Sequence, residues 1–163
     1  MIQDIKSATL PELFAAYRAI LGELKRRNIV RTENAPAGDY AEYLVCKALG
    51  GTLAPSSERS YDVTAPPWGR IQVKCRVTDG SGANPRSQLS PFRSFDFQFA
   101  AIVLLNPDYS VRRAVLVPVA TIVENARHAK HVNGHVVHAR PALLDAPGTE
   151  DITTAVQTAA LGA

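Results

Sequence analysis

Gly38-Asp39-Tyr40-Ala41-Glu42, then Tyr61-Asp62-Val63, then Ile71-Gln72-Val73-Lys74: these three pieces, in this order, decide the fold of the chain. The first lies in a helix predicted over 37–49, rich in small residues and ended by Gly50-Gly51. The second belongs to a short strand carrying Asp62, and the third to a second strand carrying Gln72 and Lys74. Between the strands, Ala65-Pro66-Pro67-Trp68-Gly69 has the proline and glycine punctuation of a turn that sets the two side by side. Side chains alternate faces along a strand, so Gln72 and Lys74 share one face. Ile71, Val73 and Cys75 make an apolar stripe on the other. That parity predicts that the polar pair points away from the packing side and that Asp62 comes to lie near Gln72.

A lysine held in such a place needs an acidic or phosphate partner. Magnesium takes oxygen ligands in octahedral geometry, uses only one or two carboxylates, and completes its shell with water and substrate phosphate. Asp62 suits that role. The Gln72 side-chain carbonyl and the Val73 main-chain carbonyl can add oxygens, and Glu42 can reach the ion from its helix, directly or through water. Lys74 can orient an attacking water or balance charge developing on phosphate. The spacing therefore points to phosphodiester chemistry, with manganese able to stand in for magnesium.

In these residues the chain resembles the PD-(D/E)XK nuclease superfamily, the fold of many restriction endonucleases and Holliday junction resolvases. The resemblance covers about the middle third of the chain. It implies a restriction endonuclease-like α/β core, running helix, three strands, helix, strand, with a central mixed sheet flanked by helices and an N-terminal helix added. It makes Asp62 the metal-binding aspartate, Gln72 the second metal-ligand position, Lys74 the catalytic lysine and Glu42 the acid of the first core helix. Tyr61 stands where the motif name has proline. Gln72 stands where an acid is commonest, which removes one negative charge.

A plain structural reading exists for the same residues: Asp62 caps a turn, Glu42 lies on a solvated helix face, and Lys74 guards a sheet edge. Asp39, one turn before Glu42, suits the start of the helix, where its charge meets the dipole. The order and parity of the pieces together favour the nuclease. Two rivals are a nucleic-acid-binding module of the same fold without catalysis, and a structural or partner-binding subunit.

The net charge of +3 and pI near 9.0 are compatible with nucleic acid. Distribution says more than the total. Lys25, Arg26, Arg27 and Arg31 cluster at the end of the first helix, while Arg70, Lys74, Arg76, Arg86 and Arg93 gather around the site and the loop after it. Arg70, Arg76, Arg86, Gln88 and Arg93 are the expected nucleic-acid contacts, with DNA as partner. A homodimer would set two sites for double-strand cleavage.

The 163 residues suit one domain, divided into an N-terminal helix and linker (1–36), a core (37–126) and a C-terminal hairpin and helix (127–163). No apolar run approaches a membrane span and Met1 to Ser7 has no signal-peptide pattern, so the expectation is a cytoplasmic protein with no membrane partner. Cys46 and Cys75 offer neither a zinc pattern nor a disulfide framework.

Elsewhere, Thr9-Leu10-Pro11-Glu12 opens a helix whose Leu13, Ala16, Tyr17, Ile20, Leu21 and Leu24 recur at helical spacing, predicting that it packs on the core. Ala100 to Leu105 is a continuous apolar run, expected of a central strand. Phe95, Phe97 and Phe99 are expected to pack the core rather than stack on bases. A strand over 114–117 leads into a helix over 118–126 with Val119, Ile122 and Val123 inward, and a last helix is predicted over 151–161. The segment 78–88 is rich in turn formers and can clamp substrate through Arg86 and Gln88. All four histidines fall between positions 128 and 138. Asn133-Gly134 between them signals a hairpin, which argues against a shared zinc site. Gly80-Ser81-Gly82 lacks the lysine and following helix of a phosphate-binding loop, and no serine sits in a nucleophile elbow.

Overall fold

Strand β3 (Gly69–Val77) is the spine of the molecule, and the other elements are arranged by which of its faces they cover. The computed structural model describes residues 4–31, 36–78, 87–106 and 108–162. Along the chain run α1 (Leu10–Arg26), α2 (Ala37–Ala48), β1 (Thr52–Leu53), β2 (Val63–Ala65), β3, β4 (Phe99–Leu105) and β5 (Val111–Pro118). They are followed by α3 (Val119–Asn125), β6 (Arg127–Ala129), a 3-10 turn (Lys130–Val132), β7 (Gly134–Val136), α4 (Pro141–Leu144), β8 (Glu150–Asp151) and α5 (Thr153–Leu161). Among the described residues one sheet has the order β1-β2-β3-β4-β5-β8, and β6 with β7 forms a separate hairpin. β3 and β4 are parallel, from Ile71 opposite Phe99 to Val77 opposite Leu105, while the neighbouring pairings are antiparallel. The result is an α/β fold with a mixed sheet flanked by helices.

Parity explains the layers. Ile71, Val73, Ala101, Val103 and Leu105 face α2 and α5, where Ala41, Leu44, Val45, Val156 and Ala159 close the core. The buried positions of α2 fall three and four apart, as one helix face requires. Gly51 is needed at the α2–β1 connection, because a Cβ there would lie 2.7 Å from the Thr64 carbonyl oxygen. The alternate residues Ala100, Ile102, Val115 and Val117 face a second core built from Leu89, Phe92, Phe97, Ile122 and Leu143. The interior β4 is thus sandwiched, which is why its sequence is apolar without alternation. This second layer corrects one expectation: the face that carries Gln72 and Lys74 does not point away from packing but is itself covered.

Several elements differ from their expected form. α1 begins as expected, with the Thr9 N–H and hydroxyl both donating to the Glu12 carboxylate, at 2.8 and 2.7 Å. Only part of its apolar stripe is covered: Leu21 is 3% exposed, but Tyr17 is 48% and Ile20 59% exposed. On α3, Ile122 is buried and Val123 is exposed rather than inward. Asp151 lies in β8, so the last helix starts at Thr153. Where the resemblance implies a helix between the third and fourth strands, the described residues of the β3–β4 connection, 78 and 87–98, contain none. They pair instead through single bridges of Gln88 with His138 and Phe92 with His135. The hairpin around Asn133-Gly134 forms, with Asn133 in the left-handed region at φ 46°. Among the described residues no helix is long and apolar enough to cross a membrane.

Candidate active site

The site is built where β2 stops and β3 continues. Register between the two ends at Val63 opposite Ile71, so β3 beyond Ile71 has an open edge on that side. Asp62 sits at this mouth, one residue before β2. Its backbone is clamped from both sides, donating to the Ile71 carbonyl at 2.9 Å and accepting from the Ala54 N–H at 2.8 Å. Its side chain turns to the open edge, where Oδ2 accepts from the Val73 N–H at 2.7 Å and from Gln72 Nε2 at 2.6 Å. The carboxylate thus takes the ladder hydrogen bond that another β2 residue would have made. Backbone groups of one residue face the same edge of a strand, so the Val73 carbonyl is directed to the same side. Asp62 Oδ1 accepts no hydrogen bond among the described residues.

Gln72 is buried, and its amide presents nitrogen to Asp62. Through that nitrogen it braces Asp62, and the side-chain oxygen is the atom left for the ligand role expected from the sequence. Lys74, two residues on and half-buried, donates to the Pro91 carbonyl at 3.1 Å and lies 4.9 Å from the centre of the Phe92 ring. The Phe92 backbone exchanges hydrogen bonds with His135, at 2.9 and 2.8 Å, so the ring under Lys74 is pinned to the hairpin. Burial lowers the Lys74 pKa, and the Arg93 charge adds to that effect, while Asp62 and Glu42 oppose it.

Glu42 comes from α2 on the other side of the sheet edge. It is half-buried, and its carboxylate accepts no hydrogen bond among the described residues. Burial, and then the negative charges of Asp62 and Asp39, push its pKa up to about 7, against the opposing charges of Arg31 and Lys74. Asp62 is raised as well, by burial, although the Val73 N–H, Lys74 and Gln72 pull the other way. Burial, more than any neighbouring charge, thus raises both acids, and the Arg31 and Lys74 charges offset it only in part. All the available donors are oxygens: two carboxylates, a backbone carbonyl and an amide. That set fits a hard divalent cation such as magnesium. Among the described residues no three of His, Cys, Asp and Glu converge as metal ligands.

The Glu42 shift has a measurable consequence. The folded state keeps the proton up to about pH 7, whereas the ordinary value is 4.5, so over that window the native state binds more protons than the unfolded chain. Stability therefore falls as pH rises from about 4.5 to about 7 and stays lower above it. Glu42→Gln is expected to flatten that fall and, in chelator, to stabilise the protein above pH 7 by about 1–2 kcal/mol, an allowance that includes solvent screening of the group. Thermal unfolding with and without the substitution at acid and alkaline pH checks it; parallel curves for the two proteins would refute it.

The expected nucleic-acid contacts divide. Arg70 pairs with Asp96 at 3.0 Å and lies 5.9 Å from the Tyr61 ring centre. Arg93 donates to the carbonyls of Val132 and Asn133. Both guanidiniums are occupied by the protein itself. Arg76 and Gln88 line an open groove, and Arg86 lies outside the described residues. Two contributors were not assigned to the site from the sequence. Arg31, read there as part of the basic end of α1, donates to the Ala54 carbonyl at 2.7 Å, while its N–H donates to Asp39 at 2.8 Å. Its charge then acts on both Asp62 and Glu42. Phe92 was missed because it stands in an irregular segment where no periodicity marks it. The histidines do not converge on one point: His128 and His135 stack edge to face across the hairpin, and His138 Nδ1 is 3.2 Å from Ser87 Oγ.

Compared with known proteins, the chain matches no family model, and no curated protein is significantly similar to it.

Proposed function

We propose that the chain is a nuclease that hydrolyses phosphodiester bonds in DNA at a PD-(D/E)XK-type site, using magnesium, with manganese as a substitute. The observation that carries this reading is the Asp62 carboxylate fixed by the Val73 N–H and Gln72, with neither its Oδ1 nor the nearby Glu42 carboxylate accepting a hydrogen bond among the described residues. Asp62, Glu42 and the Val73 carbonyl are the groups that would hold the cation, with the Gln72 oxygen as a further donor. The ion would supply Lewis-acid stabilisation of phosphate charge and lower the pKa of a bound water. The chain's own residues do the positioning. Gln72 and the Val73 N–H keep Asp62 from rotating. Lys74, held over Phe92 and by Pro91, carries a proton in a partly dry setting, where it can orient a nucleophilic water or meet charge on the phosphate. Its lowered pKa makes that proton easier to release than that of a surface lysine.

One observation favours the rival, a binding module of the same fold without catalysis: Gln72 leaves the site one carboxylate short. The two readings separate in one experiment. Labelled single-stranded, duplex and branched DNA, with an RNA control, is incubated with the protein in magnesium or manganese, alongside Lys74→Ala. The nuclease reading expects cleavage by the parent and a loss on the order of 10²-fold or more in Lys74→Ala. Metal-independent binding without cleavage would move the assignment to the binding module.

A further inference from the structure

The described arginines fall into two groups. Arg26, Arg27, Arg31, Arg70, Arg93 and Arg113 spend their guanidiniums on the protein, in ion pairs or on backbone carbonyls. Arg18, Arg59, Arg76, Arg112, Arg127 and Arg140 do not, since none has a hydrogen bond or ion pair from its guanidinium among the described residues, and of these six Arg76, Arg127 and Arg140 are set apart by position. These three are spread over 65 residues of sequence, yet they line two grooves that share one residue, His138. The first groove, about 520 Å³, runs between Arg76, Gln88, Ser90, Pro91 and His138. The second, about 460 Å³, runs on from His138 to Arg140, Arg127 and Asn125. Glu124 is the one acid in either lining.

The first groove also touches the candidate active site, because Pro91 lines it and lends its carbonyl to Lys74. His138 is fixed at the junction by its backbone bridge to Gln88 and by Ser87 Oγ near its Nδ1. The two grooves thus meet at His138, and the nearer one shares Pro91 with Lys74, so Arg76, Arg140 and Arg127 lie on grooves next to the candidate site. An arginine left without a protein partner on such a groove is available to a phosphate, which it can grip with two parallel hydrogen bonds.

We infer that Arg76, His138, Arg140 and Arg127 form the track that holds the sugar-phosphate backbone of DNA beyond the scissile bond, while Arg70 and Arg93 serve the fold. The inference rests on the nuclease reading for its choice of DNA as ligand. It moves the expected contacts away from two of the residues that sequence clustering selected and onto three that it did not. Contacts of this kind carry no base sequence, so binding along the track is sequence-tolerant and salt-sensitive.

Fluorescence anisotropy of labelled duplex and single-stranded DNA in chelator, over salt from about 50 to about 200 mM, tests it. Each lost phosphate contact on duplex lowers the slope of log affinity against log salt by about 0.9, so Arg127→Ala/Arg140→Ala is expected to lower it by about 2 and to weaken binding on the order of tenfold. Arg112→Ala, an exposed arginine outside both grooves, should change neither quantity. Unchanged slope and affinity in the double variant, with the parent binding and cleaving, would overturn the track and leave the nuclease reading standing. Arginine-dependent binding by a parent that never cleaves would support the track and remove the nuclease. A parent that binds neither DNA overturns both.

Discussion

Asp62→Asn is expected to reduce DNA cleavage by on the order of 10³-fold while leaving the fold nearly intact. The substitution removes the charge and keeps an oxygen that can accept from the Val73 N–H, the bond that ties residue 62 to β3. Asp62→Ala should be as inactive and also less stable. It strands the Val73 N–H and the Gln72 amide without their acceptor, at about 1–3 kcal/mol for a buried polar group left unpaired. Single-turnover cleavage and thermal unfolding of the two variants separate these effects. A parental cleavage rate in Asp62→Asn would remove Asp62 from the chemistry altogether. The same variant should lose any stabilisation by magnesium that the parent shows, since a ligand that binds only the folded state raises its apparent stability.

Phe92→Ala is expected to lower stability by about 3–5 kcal/mol, because a fully buried aromatic ring leaves a cavity its neighbours fill only in part. Phe95 and Phe97 lie 6.3 and 5.7 Å away, centre to centre, so the loss spreads through an aromatic cluster. The ring is also the floor under Lys74. Phe92→Leu separates the two roles: it retains most of the packing and removes the aromatic face, so stability should fall far less while cleavage still drops severalfold. Urea unfolding gives the first quantity and cleavage rate the second. An active, stable Phe92→Leu would reduce Phe92 to a core residue only.

These two residues also mark how much was legible in the sequence. Asp62, Gln72 and Val73 were readable because their meeting depends on strand parity and one short turn, both local properties. The interior β4 was readable from an apolar run with no alternation. Phe92 was not, because its burial comes from Gln88 and Phe92 bridging to residues more than forty positions later, which no local pattern encodes. The same distance hid the second core layer and made the Lys74 face look open. For Arg70 and Arg93 the sequence was silent on a related point: nearness in sequence to the site does not say whether a guanidinium already has a protein partner, and Asp96 and the hairpin carbonyls partner these two. α1 shows the limit of periodicity itself, since its stripe predicts a buried face and Tyr17 and Ile20 are left largely exposed.

The hydrogen bond from Val73 to Asp62 spans eleven positions and that from Gln72 spans ten, both across the single turn at 66–68. One residue added to or removed from that turn would slide β2 against β3 by one place and carry the aspartate to the opposite core. Insertions and deletions are therefore forbidden there, whereas 55–60, between Ala54 and Tyr61, can change length with far less effect on the clamp. Descendants of this chain can drift in many positions, but the count of residues between Asp62 and Lys74 should behave as a fixed ruler.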